Sequence, residues 1–472
     1  MRIGFVTFGA SWNTFGLKII TDEIKRNFNI ICEPAKIENA NQFDVLLFSL
    51  YWWEHKYDYI KFIFKAGLKP HSKKPYLILG GMDMMTPKPL SGFFDYAVIG
   101  DGEDVITELL QDIIDKKIPT NKAVWIDGEE NKCEMSVKKT LYAERYIEDR
   151  TNKTVRVEIA RGCKRKCLFC MVSFMKPYRE LPAPAVKQLI MTSPTKSISL
   201  FAPDTASYSD YEAVEYWVAK YGKRNTGTDL RLDTVFHKKT ASALRFGIEG
   251  FSERIRLAIG KPYTNEKLLS YFEHILTHVK NNKGKNLTTA TAYMILGLPN
   301  ETFDGYYEFN RILAEINKMV KDKFTLFLTF NGFSAQPFTP LQFARVDVFG
   351  KFLKEWNSVR TRHDKLVIAQ HGGSRNPSSQ IMQMLAIRGD ENSSKILYNL
   401  AVNPNISSKA IGNKPENAKY LLRLLESQKI DPSKIIGELD YNDALGWDGI
   451  KNIRFPKEKL WKMFKIYNKR TL

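Results

Sequence analysis

Short apolar runs that alternate with stretches of helical periodicity constrain this chain more than any other feature. Strand and helix in regular succession close most readily as parallel sheet covered by helices. In the first part the strands are expected at Ile3–Phe8, Ile30–Ile31, Val45–Tyr51, Tyr76–Leu79 and Tyr96–Ile99, with a first helix near Leu17–Phe28. That order is a doubly wound, Rossmann-like α/β unit, whose strand C-termini form a ligand crevice. A second series, Val155–Ile159, Ser197–Ala202, Asp229–Val235, Leu244–Ile248, Ala290–Leu296 and Phe324–Phe330, has the order of a partial (β/α)6 barrel, in which chemistry sits at strand C-termini. Beyond about residue 356 the pattern turns helical, with Ile381–Ile387, Lys395–Ala401, Asn417–Glu426 and Lys457–Ile466 as candidates. The 472 residues exceed what one core usually organises. The expected division is 1–116, a linker 117–154 with a small hairpin from the runs near Ala123–Ile126 and Cys133–Val137, a barrel 155–355 and a mostly helical C-terminal domain 356–472.

With 43% hydrophobic and 26% charged residues, the composition is that of a globular protein rather than a disordered one. No apolar run approaches the roughly 18 residues of a membrane span, and MRIGFVTFGASWNTFG lacks the pattern of a signal peptide. The cytoplasm is the expected location, with no membrane partner. The formal charge of +19 is uneven. Residues 1–150 hold 20 Lys and Arg against 22 Asp and Glu, whereas 151–472 hold 51 against 30. The excess peaks at 151–200, with 10 basic against 2 acidic, and at 451–472, with 8 against 1. Coding bias and solvated lysines explain such an excess as well as an anionic partner does, and an anionic partner predicts salt-sensitive binding.

Cys32 and Cys133 stand alone, but Cys163, Cys167 and Cys170 form Cys-x3-Cys-x2-Cys in EIARGCKRKCLFCMVSF. An odd cysteine count in such a chain argues against a disulfide framework and for soft-metal ligation or redox chemistry. Three thiolates do not close a four-ligand zinc site, and the nearest flanking histidines are His71 and His237. A distant fourth ligand stays open, as does an iron–sulfur cluster in which three cysteines leave one iron free for substrate.

This motif, at the end of the strand Val155–Ile159 and with Phe169 before the last cysteine, resembles the signature of the radical S-adenosylmethionine (radical SAM) superfamily. The resemblance implies a [4Fe-4S] cluster on Cys163, Cys167 and Cys170, and SAM held at strand ends. FAPDTASYSD then offers Asp204 and Thr205, FGIEGFSERIRLAIGK offers Glu249, Ser252 and Arg254, and MILGLPNET offers Gly297. A loop cap or surface ion pair accounts equally well for Asp204 and Arg254. Glu249, at an otherwise apolar strand end, needs a partner.

Upstream, YLILGGMDMMTP and FFDYAVIGDGEDVITELLQDII resemble the cobalamin-binding domain that precedes many radical SAM cores. The resemblance implies cobalamin contacts at Ser49, Gly80, Gly81, Gly100, Gly102 and Glu103, glycines making room for a bulky ligand. A ligand-free flavodoxin-like or another nucleotide-binding domain would read the same way. The Asp-x-His-x-x-Gly motif of cobalt-ligating domains is absent, so the implied cobalamin is base-off with no protein histidine on cobalt; only His55 and His71 fall in this part. NGFSAQPFTPLQF at 331–343 and LGWDGIKNIRFPKEKLWKMF near the C-terminus resemble the ends of such proteins.

The combined resemblance implies a cobalamin-dependent C-methyltransferase. A 5′-deoxyadenosyl radical from SAM would activate an unactivated carbon, which methylcobalamin would methylate. Small natural-product intermediates, protein or peptide side chains and nucleic acid are the substrate types it implies, no motif chooses among them, and the basic excess leans toward a large anionic substrate; flavodoxin or ferredoxin is the implied electron donor. Three readings compete with it: a cobalamin-dependent rearrangement, a methylthiotransferase, and a non-enzymatic iron–sulfur nucleic-acid-binding protein. The methylthiotransferase would want three further cysteines where only Cys32 and Cys133 are present.

Overall fold

The structure is a computed structural model that describes residues 1–9, 15–72, 74–138, 146–149, 154–226, 229–237, 244–280, 284–285, 287, 289–320, 325–348, 355, 358, 366–369, 376–452 and 454–472. It forms two compact units, Met1–Lys138 with Asn376–Pro456, and Lys139–Arg375 with Lys457–Leu472.

The first unit is built on six strands: β1 (Ile3–Thr7), β2 (Glu33–Pro34), β3 (Val45–Ser49), β4 (Tyr76–Gly80), β5 (Tyr96–Val98) and β6 (Val124–Ile126). Their order is β2-β1-β3-β4-β5-β6, parallel except for β6. This is a doubly wound sheet with its switch point between β1 and β3. VLLFS in β3 is buried on both faces, as a central parallel strand must be. The register aligns Thr7 with Ser49 and Ser49 with Gly80, so three strand ends meet along one edge.

Two expectations are corrected here. The edge strand is Glu33–Pro34 rather than Ile30–Ile31, because Asn29, at φ 55°, ends the helix Phe15–Phe28 and leaves Ile31 71% exposed. The runs in 117–154 form no hairpin with each other. Ala123–Ile126 supplies the antiparallel edge strand β6, while β7 (Cys133–Glu134) pairs in parallel with Ile450–Lys451. Cys133 is buried and its thiol donates to the Val124 carbonyl at 3.3 Å.

The helical tail is likewise no separate domain. The helices Pro377–Arg388, Ser394–Val402, Pro404–Ala410, Pro415–Ser427 and Pro432–Ile436 belong to the first unit, and the helix Lys457–Thr471 to the second. Fully buried Lys56 is one reason. Its ammonium donates to Thr86 O at 2.8 Å, Thr86 Oγ1 at 2.6 Å and Ala386 O at 2.6 Å, and lies 3.5 Å from Asp83. The Tyr57 hydroxyl adds a bond to Met382 O at 3.0 Å.

In the second unit β8 (Tyr146–Asp149), β9 (Thr154–Glu158), β12 (Ser197–Phe201) and β13 (Arg224–Asn225) form one sheet, β8 antiparallel and the rest parallel. The strands β14 (Asp229–Leu230), β15 (Leu244–Glu249), β16 (Thr289–Leu296), β17 (Thr325–Gly332) and β18 (Leu366–Ala369) form a second, wholly parallel sheet. From β9 onward the main strands lie in sequence order with helices such as Ala183–Thr192, Asn265–His278 and Phe303–Val320 between them, which is a partial (β/α) barrel wall. The expected strand Asp229–Val235 stops after Leu230, because Leu232–His237 coils into a 3₁₀ turn in which Thr234 N donates to Arg231 O at 3.1 Å. No described helix is long and apolar enough to cross a membrane.

Removing a buried cation strands its acceptors, so Lys56→Ala is expected to cost about 3–5 kcal/mol in urea unfolding. Lys88→Ala breaks a pair at 3.5 Å with an exposed Glu391 in the same unit and is expected to cost about 0–1 kcal/mol. Equal losses from the two variants would show that the Lys56 bonds carry no special weight.

Candidate functional site

Two further short strands, β10 (Ala160–Arg161) and β11 (Arg179–Glu180), pair antiparallel and close the neck of the loop that carries the three cysteines. Leu181 N adds a bond to Ile159 O at 2.8 Å. Gly162 opens the loop at φ 77°, where a Cβ would sit 2.4 Å from Pro177 O. Within the loop Cys170 N donates to Cys167 O at 2.9 Å, and Ser173 N to Cys170 O at 3.0 Å, so the last cysteine starts the short helix Met171–Met175.

Two other segments pin the loop from outside. Leu168 N donates to Ile259 O at 3.0 Å, and Leu168 O accepts from Leu341 N at 3.3 Å. Gly260, at φ 84°, lets the backbone of Lys166 approach, since a Cβ there would lie 2.8 Å from Lys166 O.

Cys163 and Cys167 are buried, Cys170 and Phe169 half-buried, and all three thiols are free. Burial pushes the Cys163 thiol up and the Cys170 thiol up to about 11, and each is raised further by neighbouring cysteines. Among the described residues no group of three or more His, Cys, Asp or Glu is placed to hold a single metal ion. Thiolates are the usual ligands of iron–sulfur clusters, so three free cysteines in one loop are a donor set that such a cluster fits.

Arg231 is one of two residues that sequence reasoning missed. Its Nη1 donates to Cys167 Sγ at 3.0 Å, and its Nε and Nη2 grip Asp233 at 2.9 and 3.3 Å. Burial acts to push Asp233 up, but Arg231, Arg165 and the Tyr263 hydroxyl outweigh it and hold the carboxylate below its usual range. The only signal was an Arg and an Asp in RLD just beyond a strand, which periodicity alone does not single out.

Asp204 is buried in the same network. It accepts from Ser207 Oγ and, at 3.5 Å, from Arg231 N and Thr234 Oγ1, and lies 3.6 Å from Arg165 Nε. Thr205 is buried at the start of the turn Thr205–Ser207. Asp204 is thereby a buried anchor that joins β12, the cysteine loop and the turn after β14.

Glu249 stands at a bulge at the end of β15 with φ 71°, an unusual conformation for a residue with a side chain. Its Oε1 lies 3.4 Å from Lys261 Nζ, and would lie 1.7 Å from a Cβ on Gly247, so the carboxylate folds back over a position only glycine can fill. Lys261 also donates to Gly247 O at 3.1 Å. Burial opposes its charge, but Tyr263, Glu249 and Cys167 together hold the ammonium above its ordinary value. Glu249 therefore has the partner its burial demands, and the pair stands in the field of the cysteine loop.

Ser252 and Arg254 serve the backbone. Ser252 caps the helix Glu253–Ala258, its hydroxyl accepting from Ile255 N at 3.3 Å and donating to Glu301 Oε1 at 2.7 Å. Arg254 Nη2 donates to Asn300 O at 2.8 Å, which holds the loop after Gly297, itself at φ 75°.

In the first unit, Ser49 and Gly80 are register partners at the strand C-termini, and a Cβ on Gly80 would meet nothing within 4 Å. That open edge could receive a ligand. Gly81 and Gly100 have another explanation: a Cβ would lie 2.3 Å from Leu50 O and 2.3 Å from Ser136 O, so these glycines admit the chain's own backbone. Gly102 precedes the helix Glu103–Ile114, and Glu103 is buried in its first turn, where a carboxylate suits the helix dipole. His55 Nδ1 accepts from Tyr51 N at 3.0 Å, and His71 lies 3.7 Å from Asp95 and 3.4 Å from Asp127 at the opposite edge of the sheet.

The charges around the cysteines are mostly paired inside the protein. Arg161 bonds Glu158, Lys164 lies 3.1 Å from Glu180, and Arg165 faces Asp204 and Asp233. Lys166, in the same run, is exposed.

Residues 21–125 match the family model for the N-terminal region of radical SAM proteins. An uncharacterised protein, MJ0966, of Methanocaldococcus jannaschii is 22% identical over 441 residues, 88% of this chain and 94% of its own. A tRNA-2-methylthio-N(6)-dimethylallyladenosine synthase of Sulfurihydrogenibium sp. is 26% identical over 195 residues, 35% of this chain and 42% of its own. Among solved structures, the cobalamin-dependent S-adenosylmethionine radical enzyme OxsB aligns at a TM-score of 0.46 and 11% identity, covering 99% of this chain and 78% of that one. Coproporphyrinogen III oxidase of Escherichia coli aligns at 0.26 over 40% of this chain and 45% of its own.

Gly260→Ala puts a methyl group against Lys166 O in a left-handed backbone, so it is expected to cost about 1–3 kcal/mol and to lower the iron retained per chain after reconstitution. Unchanged iron content and stability would mean that the cysteine loop does not depend on this pin.

Proposed function

We propose, from the premise that this chain is a radical SAM enzyme, that it is a cobalamin-dependent C-methyltransferase acting on an unactivated carbon of a protein, peptide or other macromolecule. The observation that carries the reading is the cysteine loop. It carries three free thiols beyond the C-terminal end of β9, its neck is closed by the pair β10–β11, and Leu168 within it is tied to the end of the helix Glu253–Ala258 and to the turn Pro340–Phe343. The first unit adds support, with its doubly wound sheet and open edge at Ser49 and Gly80.

Cys163, Cys167 and Cys170 would hold the cluster. When bound, the cluster would supply the electron that cleaves SAM to a carbon radical, and cobalamin would carry the methyl group. The protein's own share is positional. Arg231 orients Cys167, Asp233 orients Arg231, and the Lys261–Glu249 pair presents a fixed charge arrangement beside the loop. Burial of Cys163 and Cys167 excludes water from reactive sulfur. Base-off cobalamin is in keeping with His55, whose Nδ1 lone pair already takes the Tyr51 N–H, and with His71 at the far edge of the sheet.

Reconstituted protein with SAM and dithionite is expected to release 5′-deoxyadenosine, and Cys163→Ala, Cys167→Ala and Cys170→Ala are each expected to abolish it while the chain stays folded by circular dichroism. SAM labelled in its methyl group is expected to leave label on the substrate carbon, and the purified protein to retain a corrinoid absorbance. Release of 5′-deoxyadenosine without label transfer would replace methylation by rearrangement. No release at all would sink the radical reading.

A further inference from the structure

The two most basic stretches differ in how many carboxylates stand beside their charges. Around the cysteines the charges are largely paired with carboxylates of the fold. In the helix Lys457–Thr471, Lys459, Lys462, Lys465, Lys469 and Arg470 are exposed against one exposed acid, Glu458, which pairs with Lys462 at 2.6 Å, so the face keeps a basic excess. Ile466, 51% exposed, stands among them, an apolar centre within a basic rim.

The opposite face of this helix is built into the second unit. Leu460, Phe464 and Tyr467 are buried, and the Tyr467 hydroxyl donates to Pro299 O. Trp461 packs edge-on against Phe343 at 4.9 Å, and Phe464 lies 5.8 Å from Phe343 and 5.7 Å from Trp461. Phe343 ends the turn Pro340–Phe343, and Leu341 of that turn donates to Leu168, between Cys167 and Cys170. One aromatic layer and one backbone hydrogen bond thus join the basic face to the cysteine loop.

We propose that the exposed face of the helix Lys457–Thr471 is the docking surface for an acidic one-electron donor protein of the flavodoxin kind, and that Trp461 and Phe343 lie on the route from that donor to the cluster. The proposal rests on the radical SAM reading. In the transfer one electron leaves the reduced donor, which is oxidised by one, and enters the cluster, which is reduced by one; no bond forms or breaks. Charge complementarity brings the acidic partner to this face and makes encounter salt-dependent. A donor is favoured over an anionic polymer because the helix rests on the turn that holds the cysteine loop. A donor gains from that closeness, whereas a bound nucleic acid needs only the charge.

The test uses full-length protein with its cluster reconstituted, a flavodoxin as probe, and the variant K459E/K462E/K465E/K469E. Wild-type protein is expected to bind flavodoxin with an affinity that falls steeply with salt. The variant is expected to bind at least tenfold more weakly and to be reduced by flavodoxin at least tenfold more slowly, by electron paramagnetic resonance, with reduction by dithionite unchanged. The Gln versions of the same four positions, which add no repulsion, are expected to fall between. Trp461→Leu is expected to slow reduction by flavodoxin while leaving its affinity in place. Flavodoxin binding and reduction equal to wild type in the charge variants would overturn the proposal, as would a variant that loses affinity for a single-stranded RNA while keeping that for flavodoxin. Wild-type protein that gives no reduced-cluster signal even with dithionite would refute the radical SAM reading instead, and flavodoxin binding to metal-free protein would still decide the docking surface.

Discussion

One guanidinium holds the chemistry-bearing loop to the rest of the barrel. Arg231 donates to Cys167 with one nitrogen and grips Asp233 with two others, and its backbone N–H reaches Asp204. Arg165, from the cysteine loop, reaches the same two carboxylates. Two arginines and two aspartates from three segments therefore form a charge-balanced knot at the strand ends. A buried charge without such partners costs several kcal/mol, so the knot is stable only when every member is in place. The loop inherits that cooperativity, and a loop that presents three reactive sulfurs needs it more than most.

The same pairing changes what the net charge means. A formal +19 suggests a broadly electropositive protein, but much of the excess near the cysteines is cancelled within the fold by Glu158, Glu180, Asp204 and Asp233. Among the described residues, the helix Lys457–Thr471 exposes five basic side chains against one acidic one. Composition reports how much charge a chain carries; only the partners report how much a ligand can feel.

Central parallel strands were legible in the sequence because burial on both faces demands unbroken apolar runs, as in Val45–Ser49. Strands of two residues, such as Arg224–Asn225 and Glu33–Pro34, carry no such run and owe their existence to a neighbour's edge. The stretch Asp229–Val235 reads as a strand since its apolar residues alternate, but Arg231 and Asp233 bend it to reach the cysteine loop. The tail was legible as helices but not in its allegiance, which is set by the Lys56 bond to Ala386 and by the packing of Trp461 and Phe464 on Phe343. Cys163, Cys167 and Cys170 were legible as a site because their spacing is rare. Arg231 and Lys261 were not, since single basic residues beyond strand ends are common and only the fold shows which sulfur or carboxylate they meet.

Glu249 shows how the site holds strain in place. A non-glycine residue at φ 71° costs about 1–3 kcal/mol and persists only where its surroundings over-determine it. Here they do: the register slips between Gly247 and Glu249, the missing side chain at Gly247 leaves the space into which the carboxylate folds, and Lys261 holds that carboxylate while bonding the Gly247 carbonyl. Gly260, the residue before Lys261, is the one that admits the backbone of Lys166. Strand bulge, lysine and cysteine loop are thus consecutive links in one backbone path, and a change at Gly247 would reach the sulfurs through Lys261 and Gly260 without touching a cysteine.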